Sequence, residues 1–524
     1  MSMWTSKQPT KPPEIVCHRG ANRHAPENTL PAAAKCLEWG VDYLELDVNM
    51  SADGVHYLFH GPTLEPTTDG RGNFADLTST EIDRLDAGSW FSPEFTGTRV
   101  PRLEEFLGWV AGKAKLFIDI KRANLPELVH QVHAAGVAQD CFFWAEDDAT
   151  LLELRRLWPE AVLKVNVATV ADVIAADQRF GAKIVEVRLK SLSQALVTEC
   201  RTRGLRIMVY HPAAQPDAFR QILRWGVDLV NLDDADLFQA TLAAPAPAAP
   251  QDVPLPRVGR VVLIMLDGCR PDALLAADAP HLRHLMQHGA STLAARSVMP
   301  SVTLPCHTSI FRSQSPAAHG ILSNEWTPAA GLNPSLCDII HRTGYDTAAF
   351  YTWEPLRNLA APGSLDTLFY RSLSHEGFRD LCDMAATWLP RLLPVFSFVY
   401  LEATDAYGHL YGWMSQAYLQ ALGQSDAALG RILAGLDDQA GSHDTLFVAM
   451  ADHGGHDHGH GTDQPADMTV PLIFCGPGIK SGYTLPDHVS ILDVAPTILY
   501  ALGIPIPQEW QGQPRLEIFE EQVT

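Results

Sequence analysis

The sequence predicts two α/β domains in tandem, a (β/α)8 barrel over residues 14–242 and a doubly wound α/β domain over residues 258–524. Three observations predict it. Short β-type runs alternate with helical patterns about eight times in the first segment, the count a barrel needs. An Ala/Pro-rich stretch, residues 243–257, then breaks the alternation. Beyond it come apolar runs typical of buried parallel strands, several of them delivering Asp or His at their ends.

Composition sets the bounds. The 524 residues are 46% apolar and 19% charged, an ordinary globular balance with material for more than one core. A formal net charge of −22 argues against nucleic acid or an anionic membrane surface as partner. An anionic small molecule would have to be drawn by bound cations and a few local Arg and Lys. The nine cysteines are scattered without a Cys-x-x-Cys pair, which suits reduced thiols in a cytoplasmic enzyme. The N-terminus has no apolar core of a signal peptide, and no run approaches a membrane span, so neither export nor membrane insertion is expected.

Within the barrel segment the strands are read at Ile15–Cys17, Tyr43–Asp47, Leu116–Ile120, Cys141–Ala145, Leu163–Val167, Ile184–Val187, Arg206–Tyr210 and Asp228–Asn231. Helical stretches such as Leu30–Trp39, Leu103–Val110 and Ala149–Leu157 lie between them. One further run, His56–His60, follows Asp47 too soon for a crossover helix. Asp53-Gly54 signals a type I′ hairpin there, pairing position 47 with position 60 and returning His60 beside Asp47.

Barrel enzymes place their chemistry at the C-terminal ends of strands. His18-Arg19 ends the first strand. Glu45 and Asp47 alternate by two on the second and share a face, and Asp119 and Lys121 do the same near the end of the third. Three carboxylates converging on one mouth suit a hard cation, Mg²⁺ or Ca²⁺. His18, His60, Arg19 and Lys121 beside it suit acid/base work on a phosphate ester.

His18-Arg19-Gly20, Pro26-Glu27-Asn28-Thr29, Glu45-Leu46-Asp47, His60 and the stretch from Ala87 to Phe106 together resemble the glycerophosphodiester phosphodiesterase family over about residues 15–240. The resemblance implies a TIM barrel with a metal on Glu45, Asp47 and Asp119. It also implies acid/base roles for His18 and His60, and phosphate contacts from Arg19 and Lys121. The chain departs from the family pattern in three places. Gly61 follows His60 where the family has Asp, Asp119 stands where it has Glu, and Tyr210-His211-Pro212-Ala213 replaces its Trp-Thr-Val-Asn.

Residues 243–257 cannot hold an uninterrupted helix, because each Pro lacks an N–H, and they read as a semi-rigid spacer.

In the second segment, Arg260–Leu266 is a buried strand that delivers Asp267. Val395–Leu401, Leu446–Met450 and Val470–Phe474 read as further strands of the same parallel kind. Asp405 and His409 are four apart and share a face if a helix begins there. Asp452 and His453 follow another strand, and His456, His458 and His460 compete as a further ligand. These residues suffice for two metal ions sharing a phosphoryl group. Thr303 falls at a helix N-terminus, because Pro305 suits a first turn, and free N–H groups there favour an anion. Cys306 is the rival nucleophile but lies one turn on, where core packing is expected. His281, His284 and His288 read as surface residues, and His307 as a packing residue or a support behind the ligands, not a ligand itself.

Leu266-Asp267-Gly268, Thr303-Leu-Pro-Cys-His307, His319-Gly320-Ile321 with Asn324, Asp405-Ala-Tyr-Gly-His409, Asp452-His453-Gly454 and His460-Gly461 resemble the alkaline phosphatase superfamily, in its nucleotide pyrophosphatase/phosphodiesterase branch. The resemblance implies two zinc ions, one on Asp405, His409 and His460, the other on Asp267, Asp452 and His453. It implies Thr303 as nucleophile and Asn324 as a donor to a phosphoryl oxygen. The Thr303-x-Pro-x-His307 frame lacks the Cys or Ser and the Arg of a sulfatase. The expected function is therefore a two-site metal-dependent hydrolase of small phosphoesters. The barrel would cut glycerophosphodiesters, and the second domain would then remove phosphate through a phosphothreonine. The alternative leaves catalysis to the second domain as a phosphodiesterase, with the barrel a binding or structural module.

Overall fold

The computed structural model describes residues 12–520 except 245–254, 328–331, 373, 439–443 and 487. The described residues divide into two compact units, residues 12–244 and residues 255–520. Most of the predicted linker and the N-terminal segment read for export lie outside the described residues.

The first unit is a closed barrel. Its strands are β1 (Glu14–Cys17), β2 (Tyr43–Met50), β3 (His56–Leu58), β4 (Lys115–Ile120), β5 (Cys141–Ala145), β6 (Val162–Asn166), β7 (Ile184–Arg188), β8 (Arg206–His211) and β9 (Leu229–Leu232). The sheet runs β1-β9-β8-β7-β6-β5-β4-β2 in parallel and closes through β1–β2, with β3 antiparallel on β2. Each predicted strand is present, with ends shifted by no more than a few residues.

Strand periodicity organises the interior. Val16, Tyr43, Phe117, Phe142, Ile184, Met208 and Leu229 form one apolar layer with Val162 against it. Side chains two residues further on point the same way, one layer nearer the C-terminal mouth. That layer holds His18, Glu45, Asp119, Trp144, Lys164, Glu186, Tyr210 and Asn231. The next holds Asp47, Lys121, Asn166, Arg188 and Asp233. The switch from apolar to polar between successive layers turns a core into a site.

The hairpin differs from the expected one. Val48 pairs with Leu58 and Met50 with His56, so Asp47 lies opposite Phe59, one residue short of the predicted partner His60. Ser51 N–H donates to Val55 C=O across a three-residue loop, and Gly54 alone takes a positive φ, +87°. Asp53 is instead engaged by its side chain with Ser51 and Ser79. These bonds favour a three-residue loop with Gly in the left-handed position over a type I′ turn.

The second unit is a mixed sheet covered by helices. Its strands are β10 (Arg260–Leu266), β11 (Ala290–Arg296), β12 (Thr347–Tyr351), β13 (Thr367–Tyr370), β14 (Phe396–Leu401), β15 (Thr445–Met450), β16 (Thr469–Cys475) and β17 (Tyr483–Thr484). The order is β13-β12-β14-β10-β15-β16-β11-β17. From β13 to β15 all pairs are parallel, but β16 runs antiparallel to both β15 and β11. The parallel reading of Val470–Phe474 is thus corrected. Between β15 and β16 lies only the short helix Pro465–Met468. With no crossover helix the chain doubles back. The helices that matter most are Thr303–Arg312 and Ala403–Tyr411.

Lys164 shows what the polar layer demands of the barrel. It is 1% exposed, donates to Asn166 Oδ1 at 2.7 Å and pairs with Glu186, with its ammonium 4.2 Å from the Trp144 ring centroid. Removing one member of a buried pair strands the other charge. Lys164→Met should therefore lower the stability of the barrel by about 3–5 kcal/mol. Lys164→Met with Glu186→Leu should recover most of the loss, as read from the barrel's transition in urea unfolding.

Candidate active sites

At the barrel mouth Glu45, Asp47 and Asp119 are 4%, 0% and 5% exposed, and one oxygen of each falls within 4.8 Å of the others. Asp47 Oδ1 and Asp119 Oδ1 are buried and accept no hydrogen bond. Burial and the Asp47 charge push Glu45 up to about 8 and Asp119 up to about 6. Carboxylates so crowded and dry cannot all ionise unless a cation joins them. The oxygen-only donor set and the orphaned oxygens fit Mg²⁺ or Ca²⁺.

Cationic and imidazole groups surround this cluster. Lys121 Nζ donates to Asp119 Oδ2 at 2.7 Å and lies 3.2 Å from Asp47 Oδ1. Arg19, in the left-handed region at φ 57°, donates from its backbone N–H to Glu45 and from its guanidinium to Glu27 and to His60 Nε2, the last at 2.7 Å. Burial, opposed by Asp47 but reinforced by Arg19 and Lys121, pushes His60 down to about 4. For His18, burial acts downward, yet Glu45 and Asp233 outweigh it and the net shift is upward. The structure thus brings His18, Arg19, Glu45, Asp47, His60, Asp119 and Lys121 to one mouth.

Two participants escaped the sequence reading. Asp233, just beyond β9, accepts from His18 Nδ1 at 2.6 Å and is itself held by Asn22 and Arg23. Asn28 grips Asp47 twice, donating to Oδ2 at 2.7 Å and accepting from its backbone N–H at 3.0 Å. Asp233 was findable, since Asn231 and Asp233 continue the inward face of β9, but its partner lies 215 residues away.

In the second unit two ligand sets stand side by side. His453 Nε2 is 3.3 Å from Asp267 Oδ1, 3.4 Å from Asp452 Oδ2 and 3.3 Å from Thr303 Oγ1. Asp405 Oδ1 is 3.6 Å from His409 Nε2 and 3.5 Å from His460 Nε2, and the two imidazole nitrogens are 3.2 Å apart. The His453 and His460 rings stack at 3.8 Å, joining the sets. Zinc bonds of about 2.0–2.1 Å at tetrahedral angles put ligand atoms about 3.3–3.4 Å apart, the spacing found here. Asp267 Oδ1, Asp405 Oδ1 and Asp452 Oδ2 are buried without a hydrogen-bond donor. The donor chemistry and the spacing both fit zinc.

The imidazoles are oriented by backbone carbonyls. His453 Nδ1 meets Gly454 C=O at 2.8 Å, His409 Nδ1 meets His458 C=O at 2.9 Å, and His460 Nδ1 meets Ser301 C=O at 2.8 Å. A carbonyl only accepts, so Nδ1 carries the proton and Nε2 presents its lone pair. Among the three competing histidines, His460 alone joins a cluster. His456 is used up by Asp467 and Gln464, and His458 Nδ1 turns to His409 C=O.

Backbone geometry does the rest. Gly268 has φ 65°, and a Cβ there would stand 3.1 Å from Asp405 Cα, so the Asp267-Gly268 turn can approach Asp405 only as glycine. Tyr400 hydroxyl donates to Asp267 Oδ2 and Thr404 hydroxyl to Asp267 C=O. Thr303 opens its helix, and Asn324 Oδ1 accepts from Leu304 N–H at 3.0 Å, so its amide N–H groups remain for a ligand. Cys306 is buried, its thiol pushed far up by desolvation, and it faces Ser297 instead of the site. His307 packs under Thr303, with Nδ1 on the Thr303 carbonyl at 2.8 Å. His281, His284 and His288 are exposed on one helix and belong to no ligand group among the described residues.

Both sites therefore have the build of metal-dependent phosphoester hydrolases. Comparison with known proteins narrows the class. Residues 18–237 match the glycerophosphoryl diester phosphodiesterase family, and residues 261–467 match type I phosphodiesterase / nucleotide pyrophosphatase. The chain thus joins a domain of the first family to a domain of the second. The glycerophosphodiester phosphodiesterase of Bacillus subtilis is 29% identical over 248 residues, which cover 43% of this chain and 84% of that one. That of Caldanaerobacter subterraneus is 27% identical, over 42% of this chain and 94% of its own. The crystal structure of the Agrobacterium tumefaciens enzyme is 37% identical, covering 44% of this chain and 99% of its own, with a TM-score of 0.42.

Loss of a ligand opens a metal site, whereas loss of an imidazole outside it does not. His460→Ala should halve the zinc bound to the second unit and cut its phosphoesterase activity at least about 100-fold. His456→Ala and His458→Ala should retain both zinc equivalents, as measured by elemental analysis of the purified protein. Asp233→Asn removes the charge beside His18 and keeps the shape. In the barrel it should lower kcat roughly 10- to 100-fold with little change in KM, the split expected of a residue that orients an acid/base group.

Proposed function

We propose that the chain is a bifunctional phosphoester hydrolase working in sequence: the barrel cuts a glycerophosphodiester to glycerol phosphate and an alcohol, and the second domain releases the phosphate. What carries this reading is the presence, in one chain, of two chemically distinct kinds of ligand cluster, one of carboxylates only in the barrel and two of mixed Asp and His in the second unit. Beside the first, the Glu45 charge acts on His18, and in the second unit Thr303 Oγ1 lies 3.3 Å from His453 Nε2.

In the barrel, Arg19 and Lys121 bind the phosphate oxygens. Glu45, Asp47 and Asp119 would hold one Mg²⁺ or Ca²⁺, which supplies charge neutralisation when bound. His60, kept neutral, takes a proton from the attacking water, and His18, kept basic by Glu45 and Asp233, delivers one to the departing alcohol. In the second domain, Asp405, His409 and His460 would hold one zinc, and Asp267, Asp452 and His453 a second. When bound, such ions would supply positive charge that favours ionisation of the Thr303 hydroxyl and neutralises the phosphoryl group. Thr303 Oγ1 attacks phosphorus, the alcohol leaves, and water later cleaves the phosphothreonine. Asn324 donates to a phosphoryl oxygen throughout.

The nine cysteines are all free, and no helix among the described residues is long and apolar enough to cross a membrane. The free thiols support a reducing compartment such as the cytoplasm.

The test separates the sites. Given glycerophosphoinositol, Thr303→Ala should release inositol at the normal rate and accumulate glycerol phosphate without free phosphate. His18→Ala should release no inositol, yet still dephosphorylate added glycerol phosphate. If Thr303→Ala abolishes inositol release while His18→Ala does not, the diester is cut in the second domain. The barrel is then an accessory module.

A further inference from the structure

The barrel's established contacts account for the metal-binding side of the mouth, β1, β2 and β4, but not for the opposite side. There β7 and β8 place Arg188 and Tyr210 in register at the strand ends. Glu186 points into the barrel, where Lys164 and Asn231 bond to it, so Arg188, two residues on, shares that inward face at the level of Lys121 and Asp233. Arg188 is exposed, and its guanidinium carbon lies 4.3 Å from the Tyr210 ring centroid. The same ring meets His18 edge-on at 5.1 Å. No carboxylate among the described residues pairs with Arg188. A guanidinium stacked on an aromatic ring is pre-positioned with its donor edge free for an anion.

The other half-buried ring at the strand ends, Trp144, has Lys164 Nζ at 4.2 Å and Lys121 Nζ at 5.5 Å from its centroid. Quaternary ammonium groups are recognised by aromatic faces. Here both Trp144 and Tyr210 already carry cations, which repel such a group. Glu146 follows β5 and is exposed, the acidic counterweight on this side.

We propose that this side of the mouth is the subsite for the departing alcohol, and that it takes an alcohol carrying an anionic group, held by Arg188. The inference rests on the barrel's reading as a glycerophosphodiesterase and names the class of its substrate. Tyr210 is the platform for Arg188.

The experiment uses the full-length protein with Thr303→Ala, so that the second domain removes no phosphate. Release of the free alcohol is followed for glycerophosphoinositol 4-phosphate, glycerophosphoinositol and glycerophosphocholine. The first two differ by one phosphate group. The first should be cleaved with roughly tenfold higher kcat/KM than either of the others, reflecting one charge-assisted bidentate contact. Arg188→Gln should bring the ratio of the first two substrates to about one, and Arg188→Lys should retain part of it. Equal rates for the two inositol substrates in the unsubstituted barrel overturn the proposal. So does a preference for glycerophosphocholine, which would hand the subsite to Glu146, or a ratio that Arg188→Gln leaves untouched. Cleavage of none of the three overturns the glycerophosphodiesterase reading itself, and the inference with it.

Discussion

The constraint behind both halves of this molecule is the burial of carboxylates beside one another. Glu45, Asp47 and Asp119 in the barrel, and Asp267 and Asp452 in the second unit, are at most 5% exposed. Like charges in a dry site raise one another's pKa, and the response is visible in Glu45, Asp119 and Asp267. Such groups are destabilising unless counter-charges meet them. The protein supplies some of these itself in the barrel, where Lys121 and Arg19 lie beside Asp47. The oxygens left without donors are where cations would complete the balance.

The two units meet this constraint with different donors, and the difference sets the chemistry each can host. In the barrel the ligands are oxygens on adjacent parallel strands, with Asp47 directly opposite Asp119. The strands fix where these oxygens stand. In the second unit the ligands come from the ends of β10 and β15, from one helix and from a loop, and imidazoles replace some of the carboxylates. Each of these imidazoles is fixed by a backbone carbonyl on Nδ1, so the geometry depends on loops as much as on the sheet. Mixed nitrogen and oxygen donors at these spacings select a borderline metal over a hard one.

The barrel's polar layers also show why its residues are spaced as they are. An apolar layer at the bottom, an ionic layer above it and a mostly charged rim follow from one period-two pattern on parallel strands. Lys164 and Glu186 bridge the core to the rim, Asn28 holds Asp47, and Asp233 holds His18. The support for catalysis is thus built from the same alternation that fills the core.

The sequence by itself determined the strand count, the inward faces and the clustering of Glu45, Asp47 and Asp119. These are local: each follows from alternation along one strand and from the rule that strand ends form the mouth. It also placed Thr303 on a helix N-terminus and Asp405 with His409 on one helical face, because helix periodicity fixes both. Only the tertiary structure decided the rest. The choice of His460 over His456 and His458 depends on Ser301, a residue 159 positions away whose carbonyl holds the ring. The Asp233 partner of His18 and the stacking of Arg188 on Tyr210 arise across strand pairs, where no local pattern records which side chains meet. The hairpin register moved by one residue because Asp53 spent its side chain on Ser51 and Ser79, a contact outside the turn itself. The direction of β16 was set by the absence of a crossover helix between it and β15, and an apolar run reads the same in either direction.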